Sequence, residues 1–143
     1  MHMHQRLCVC TTMRRATRAL TRAYDEALAP FGITVQQFAI LRDIQRAGTI
    51  PLPRLAEGLV MDRTSLYRAL PPLEREGLLL LESPSPRSRT ATLTPAGQQR
   101  VAEAGPAWEA LQTRILSAMQ PGEWDQMQAS ADRLATQLVS GTL

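Results

Sequence analysis

The stretch that most constrains the fold is residues 52–94, LPRLAEGLVMDRTSLYRALPPLEREGLLLLESPSPRSRTATLT. Leu52, Leu55, Ala56 and Leu59 set an apolar stripe at helical spacing. Val60 and Met61 make a turn. Asp62 then caps a second helix, because its carboxylate can accept from amides that have no partner inside the helix. Leu66, Leu70 and Leu73 face inward along that helix, Arg63, Thr64, Ser65 and Arg68 lie on its outer N-terminal part, and Gly77 ends it. Pro71 and Pro72 fall inside it and predict a kink, since each removes a backbone donor. The run Leu78–Leu81 suits a half-buried strand, and Arg89–Leu93 a returning one. Between them Ser83–Ser88 reads as a proline-stiffened loop carrying Arg87. The fold class is therefore mainly α with a small β-wing: a winged helix-turn-helix with helical extensions at both ends.

Such a unit is suited to reading DNA. A helix fits the major groove, where base edges display a distinct donor and acceptor pattern, and arginine pairs well with guanine there. The expected contacts are Arg63, Thr64, Ser65 and Arg68 in the major groove. Arg87 and Arg89 are expected on the backbone or minor groove beside the wing, with Arg54 as a further phosphate contact. A plain two-helix packing unit with solvated arginines would share half of this pattern; the appended basic hairpin distinguishes the two. The alternative function is a winged helix used for protein docking without specific DNA binding.

In the order of these elements the chain resembles the MarR-type winged-helix transcription regulators. The resemblance runs from about Leu7 to about Leu138. It is most specific at Asp62-Arg63-Thr64-Ser65, at Leu73-Glu74-Arg75-Glu76-Gly77-Leu78 and at Leu93-Thr94-Pro95-Ala96-Gly97. It implies a homodimer that represses nearby genes and answers a small-molecule effector or an oxidant. Family wings often carry an aspartate shortly before the tip arginine. Here that stretch is Ser85-Pro86-Arg87, so prolines stand where a carboxylate would hold the arginine.

The flanking sequence supports this organisation. Residues 11–28 read as a helix with Met13, Ala16, Leu20, Tyr24, Ala27 and Leu28 near one stripe, and with Arg14, Arg18 and Arg22 as a basic row on another face. That row reads as a solvated face, or else as a surface near DNA or an anionic effector. Pro30-Phe31-Gly32 breaks the helix. Ile33-Thr34-Val35-Gln36-Gln37-Phe38 carries the signature of a capping box and hydrophobic staple. Thr49-Ile50-Pro51 suits a third strand, and Pro53 a first helical turn. Thr94-Pro95 opens a long helix to about Met119, bent near Gly105-Pro106. Met127, Ala131, Leu134 and Leu138 continue an apolar stripe in a last helix after Gln120-Pro121-Gly122. These terminal stripes exceed what one small wing unit can cover. The 143-residue chain is thus expected to be a single unit, with residues 33–94 as the DNA-binding region and residues 7–32 and 95–140 as the dimerisation region. A dimer places two reading helices roughly 34 Å apart, which calls for an inverted-repeat operator in double-stranded DNA.

Composition excludes other classes. The net charge is +3, and all 16 basic residues are arginine. Position therefore carries the DNA argument better than total charge does. Aromatics make up 4%, too few for a single-strand binder built on base stacking. No long apolar span or signal peptide is evident, so a cytoplasmic protein without membrane contact is expected. No nucleophile elbow, phosphate-binding glycine loop or metalloprotease motif is present, so neither an enzyme nor a cofactor is expected. Cys8 and Cys10 read as small buried hydrophobes or as redox sensors, placed just before a helix start and near Arg6, Arg14 and Arg15, which favour thiolate. Organic-hydroperoxide sensors of the resembling family also carry a reactive cysteine near the N-terminal helix. His2 and His4 with Cys8 and Cys10 have the wrong spacing for zinc, so no metal is expected.

Overall fold

A computed structural model describes residues 8–143. Helix α1 spans Val9–Leu28 and passes into a single 3-10 turn, Ala29–Phe31, closed by Gly32 at φ 70°. Helix α2, Val35–Ala47, begins at the expected capping box. The Gln37 amide donates to Thr34 Oγ1 at 3.1 Å and the Thr34 amide donates to Gln37 Oε1 at 3.0 Å. Ile33 and Phe38, which flank this cap, are both buried, as a hydrophobic staple requires. A further amide of the first turn, that of Val35, donates to Asp25 Oδ1 of α1 at 2.8 Å.

Strand β1 covers Thr49–Pro51, α3 Leu52–Leu59 and α4 Arg63–Arg75. The turn between the two helices rests on Val60 at φ 51°, the one non-glycine residue at positive φ among the described residues. Left-handed backbone is costly for a β-branched side chain, and the amide bonds from Val60 and Met61 back to Glu57 and Ala56 hold it there. Asp62 caps α4 as expected. Helix α4 continues as one element through Pro71 and Pro72, although these leave the Tyr67 and Arg68 carbonyls without their usual amide donors. Leu66, Leu70 and Leu73 stay in helical phase and are all buried, so core packing sustains the helix past its prolines.

Strands β2, Leu79–Ser85, and β3, Ser88–Leu93, complete an antiparallel sheet in the order β1-β3-β2. Thr49 pairs with Thr92 and Leu79 with Leu93, with an irregularity between Glu82 and Ser85. The wing differs from the sequence expectation. Ser83 to Ser85 belong to the strand, and the turn is only Pro86 and Arg87. Ser85 faces Ser88 across it, so the ladder extends almost to the tip.

Helix α5, Pro95–Ser117, is capped by Thr94, whose Oγ1 accepts from the Gly97 amide at 3.0 Å and donates to the Gly77 carbonyl at 2.5 Å. Gly97 meets the Leu78 backbone so closely that an ideal Cβ would lie 1.9 Å from the Leu78 oxygen. Gly105 and Pro106 both lie within α5. Helix α6 spans Glu123–Ser140. The chain divides into two compact units, one closing at Trp108 and the other beginning at Glu109. The core belongs to the first. It joins Leu28, most of the apolar face of α2, the inner faces of α3 and α4, the sheet residues Leu79, Ala91 and Leu93, and Val101 and Ala104 of α5. Among the described residues, no helix is long and apolar enough to cross a membrane.

Candidate nucleic-acid interface

The residues expected to read DNA are exposed: Arg54 on α3, Arg63, Thr64, Ser65 and Arg68 on α4, and Arg87 and Arg89 on the wing. The core-facing leucines of α4 account for this. By anchoring one side of the helix they turn the polar side outward. Asp62 fixes where the helix begins. Its carboxylate accepts from the Ser65 amide at 2.9 Å and from the Ser65 hydroxyl at 2.6 Å. The Ser65 hydroxyl, then the Ser65 amide, hold the Asp62 carboxyl below its usual range, and the charge of Arg68 adds to this. The Ser65 hydroxyl proton is thus engaged in the cap, and towards another partner this oxygen can act as an acceptor.

The wing is tied to the helix that precedes it. Glu74 Oε2 of α4 accepts from the Leu81 amide at 2.9 Å, on the edge of the sheet that β3 leaves open. At the other edge Thr49 and Thr92 join hydroxyls at 2.8 Å. Between the start of α4 and the wing tip opens a cleft of about 340 Å³, lined by Pro51, Pro53, Arg63, Tyr67, Pro86, Arg87, Ser88 and Arg89. The Arg89 guanidinium carbon stands 6.0 Å from the centre of the Tyr67 ring, within reach of a cation–π attraction. The cleft gathers three of the seven expected arginines and hydroxyl residues, namely Arg63, Arg87 and Arg89. Arg54, Thr64, Ser65 and Arg68 do not line it. Tyr67, Ser88 and the flanking prolines were not singled out from the sequence. The signal for Tyr67 was its place one helical turn after Arg63.

A second cluster lies where α1, α2 and α5 meet. Trp108 stands 6.4 Å from Tyr24 and 5.9 Å from Phe38 between ring centres, and the Arg42 guanidinium carbon lies 4.6 Å from the Trp108 ring centre. The basic row Arg14, Arg18 and Arg22 is on exposed turns of α1.

Cys8 and Cys10 are free and exposed, which excludes the reading as buried hydrophobes within this chain. Cys8 lies just before the helix, as expected, as the N-cap of α1, and Cys10 lies inside it, in its first turn. The Thr11 backbone amide, followed by the Thr11 hydroxyl, lowers the Cys8 pKa from its ordinary value by favouring the thiolate. Arg6, His2 and His4 lie outside the described residues. Among the described residues, no three His, Cys, Asp or Glu side chains gather as a metal site.

No protein-family model matches the chain, and no curated protein does. Solved structures match over nearly its whole length. The transcriptional regulator MosR of M. tuberculosis in complex with DNA is 31% identical, with a TM-score of 0.86, and the match covers 95% of this chain and 99% of that one. AbsC, a MarR family transcriptional regulator from Streptomyces coelicolor, is 21% identical over 93% of both chains, with a TM-score of 0.80. MepR of S. aureus, in a DNA complex, is 20% identical over 92% of this chain and 98% of its own, with a TM-score of 0.79. The last two share the fold.

Proposed function

The chain belongs to the MarR family of winged-helix transcription regulators, and on that premise we propose that it is a DNA-binding regulator acting as a homodimeric repressor on an inverted-repeat operator. The observation that carries the reading is the exposed N-terminal half of α4 beside a wing whose arginines converge on one cleft. Arg68 and Thr64 contact the major groove, Arg87 and Arg89 the flanking backbone or minor groove, and Arg54 a phosphate. Ser65 serves there as an acceptor, because its proton is held by Asp62.

The dimer is supported by apolar side chains left open at both ends of the chain. Val9, Met13 and Leu20 of α1 and Trp124, Met127, Leu138 and Val139 of α6 are all exposed. A second copy would cover them and set the spacing of the two reading helices. The signal is a redox or small-molecule one that changes this spacing. Cys8 favours the redox form, since an exposed thiol with a lowered pKa attacks a peroxide to give a sulfenic acid, and Cys10 is the nearest second thiol.

The test is binding of the purified protein to DNA from upstream of its own gene, reduced and peroxide-treated, across a salt series. Tight, salt-sensitive binding that peroxide abolishes and thiol restores is the expected result. Binding indifferent to peroxide would remove the redox signal and leave a small-molecule effector. Absence of any sequence preference, also in a random-sequence selection, would sink the regulator reading in favour of protein docking.

A further inference from the structure

Three arginines, Arg63, Arg87 and Arg89, line one cleft with Tyr67, and the Arg89 guanidinium carbon stands 6.0 Å from the Tyr67 ring centre. None has a carboxylate within ion-pair distance among the described residues. A concave site lined by one sign of charge concentrates positive potential, and the guanidinium fork matches the oxygens of a phosphate. Arg63 adds the first turn of α4, where helix backbone amides also favour an anion. Pro51 and Pro53 stiffen one wall, and Arg89 is braced over Tyr67.

The helix itself separates this cleft from the base-reading side. Successive residues turn by about 100°, so Arg63 and Tyr67 share one face, Thr64 and Arg68 share another, and Arg68 points about 140° away from Arg63. Seated in a groove, the helix therefore presents the two arginines on different sides.

We propose that Arg63, Arg87 and Arg89, organised by Tyr67, form a clamp for one backbone phosphodiester of double-stranded DNA at the junction of helix and wing. Arg63 thus belongs to the backbone clamp, and base reading is left to the Thr64 and Arg68 face. The inference rests on the DNA-binding reading above and deepens it. Tyr67 is a positioning residue, acting through Arg89. A free phosphate offers the same chemistry as the phosphodiester, and the test separates the two.

The experiment compares full-length wild type, Arg63→Gln, Tyr67→Leu, Tyr67→Phe and Arg68→Gln. Each is titrated with a duplex enriched by random-sequence selection and with an unrelated duplex, across a chloride series. Arg63→Gln is expected to weaken both duplexes by the same factor, on the order of tenfold, and to reduce the slope of log affinity against log salt by about one. Its selected base preference stays that of wild type. Tyr67→Leu weakens both duplexes in the same uniform way, and Tyr67→Phe, which keeps the ring, restores them. Arg68→Gln instead relaxes the preference at a base position. A changed base preference in Arg63→Gln with an unchanged salt slope would overturn the clamp and leave the regulator reading standing. Failure of wild type to bind any duplex would overturn both. Inorganic phosphate at matched ionic strength is expected to compete no better than chloride. Stronger competition that Arg63→Gln removes would overturn the assignment to the DNA backbone in favour of free phosphate.

Discussion

Helices α4 and α6 carry apolar stripes of the same kind and have opposite fates. In α4 the stripe is Leu66, Leu70 and Leu73, and each is at most 1% exposed. In α6 no residue is buried, and Leu138 and Val139 are 60% and 75% exposed. Helix α1 joins the two behaviours: its last residue, Leu28, is fully buried, while everything from Val9 to Arg22 is exposed. An apolar stripe at helical spacing therefore states that something is to be buried, without saying against what. For α4 the answer lies in the same chain. For α6 and the first turns of α1 the second copy proposed above would supply it.

This contrast can be broken at either end. Leu66→Ala removes a fully buried side chain of α4, and is expected to cost about 2–5 kcal/mol in denaturant unfolding because the cavity collapses only in part. Leu138→Arg should change the unfolding of the isolated chain by about 0.5 kcal/mol or less. Sedimentation over a concentration series should instead show a dimer dissociation constant raised at least tenfold, about 1.4 kcal/mol. Equal effects of the two substitutions on unfolding, with assembly unchanged, would erase the distinction.

Gly97→Ala tests the closest contact that a Cβ added at any described glycine would make. The added Cβ meets the Leu78 carbonyl, which belongs to the main chain and cannot swing aside. A loss of about 1–3 kcal/mol is expected in thermal unfolding. The same substitution at Gly105, where an added Cβ meets no neighbour, should stabilise or leave the fold unchanged.

The smallest effect sharpens the comparison at the start of α4. The folded-state pKa of Asp62 is lowered, so its cap contributes fully above the unfolded carboxylate value, about 3.9. That contribution is lost as pH falls through the folded value. Asp62→Ala should melt below wild type at neutral pH, and the difference should close in acid. A gap that persisted unchanged into strong acid would show that the carboxylate charge does not hold the cap.

Much of the fold was legible because it is written in local chemistry. The box of Thr34 and Gln37 spans three residues, as do the cap from Asp62 to Ser65 and that from Thr94 to Gly97. These hydrogen bonds depend on neighbours along the chain, so residue type and spacing suffice to find them. The third strand at Thr49–Pro51 was visible through its β-branched residues and its place before a proline-started helix. The length of the wing turn was not. Ser83, Pro84 and Ser85 do not read as strand, and it is the pairing of Ser85 with Ser88 across the tip, past an irregularity after Glu82, that carries β2 so far. The helical phase of α4 across Pro71 and Pro72 was legible, because Leu66, Leu70 and Leu73 keep helical spacing past the prolines, and the core buries all three.

The candidate site divides in the same way. The sequence alone determined a capped helix with an exposed basic and hydroxyl face, an arginine-bearing hairpin, and apolar stripes at both ends of the chain. Only the tertiary structure decided that Arg63 lines one cleft with Arg87 and Arg89, that the Arg89 guanidinium lies over Tyr67, and that Arg68 does not line that cleft. The physical reason is range. Caps and stripes arise from contacts within about one helical turn, whereas the cleft exists because the sheet folds residues 86–89 back onto a helix that begins more than twenty residues earlier.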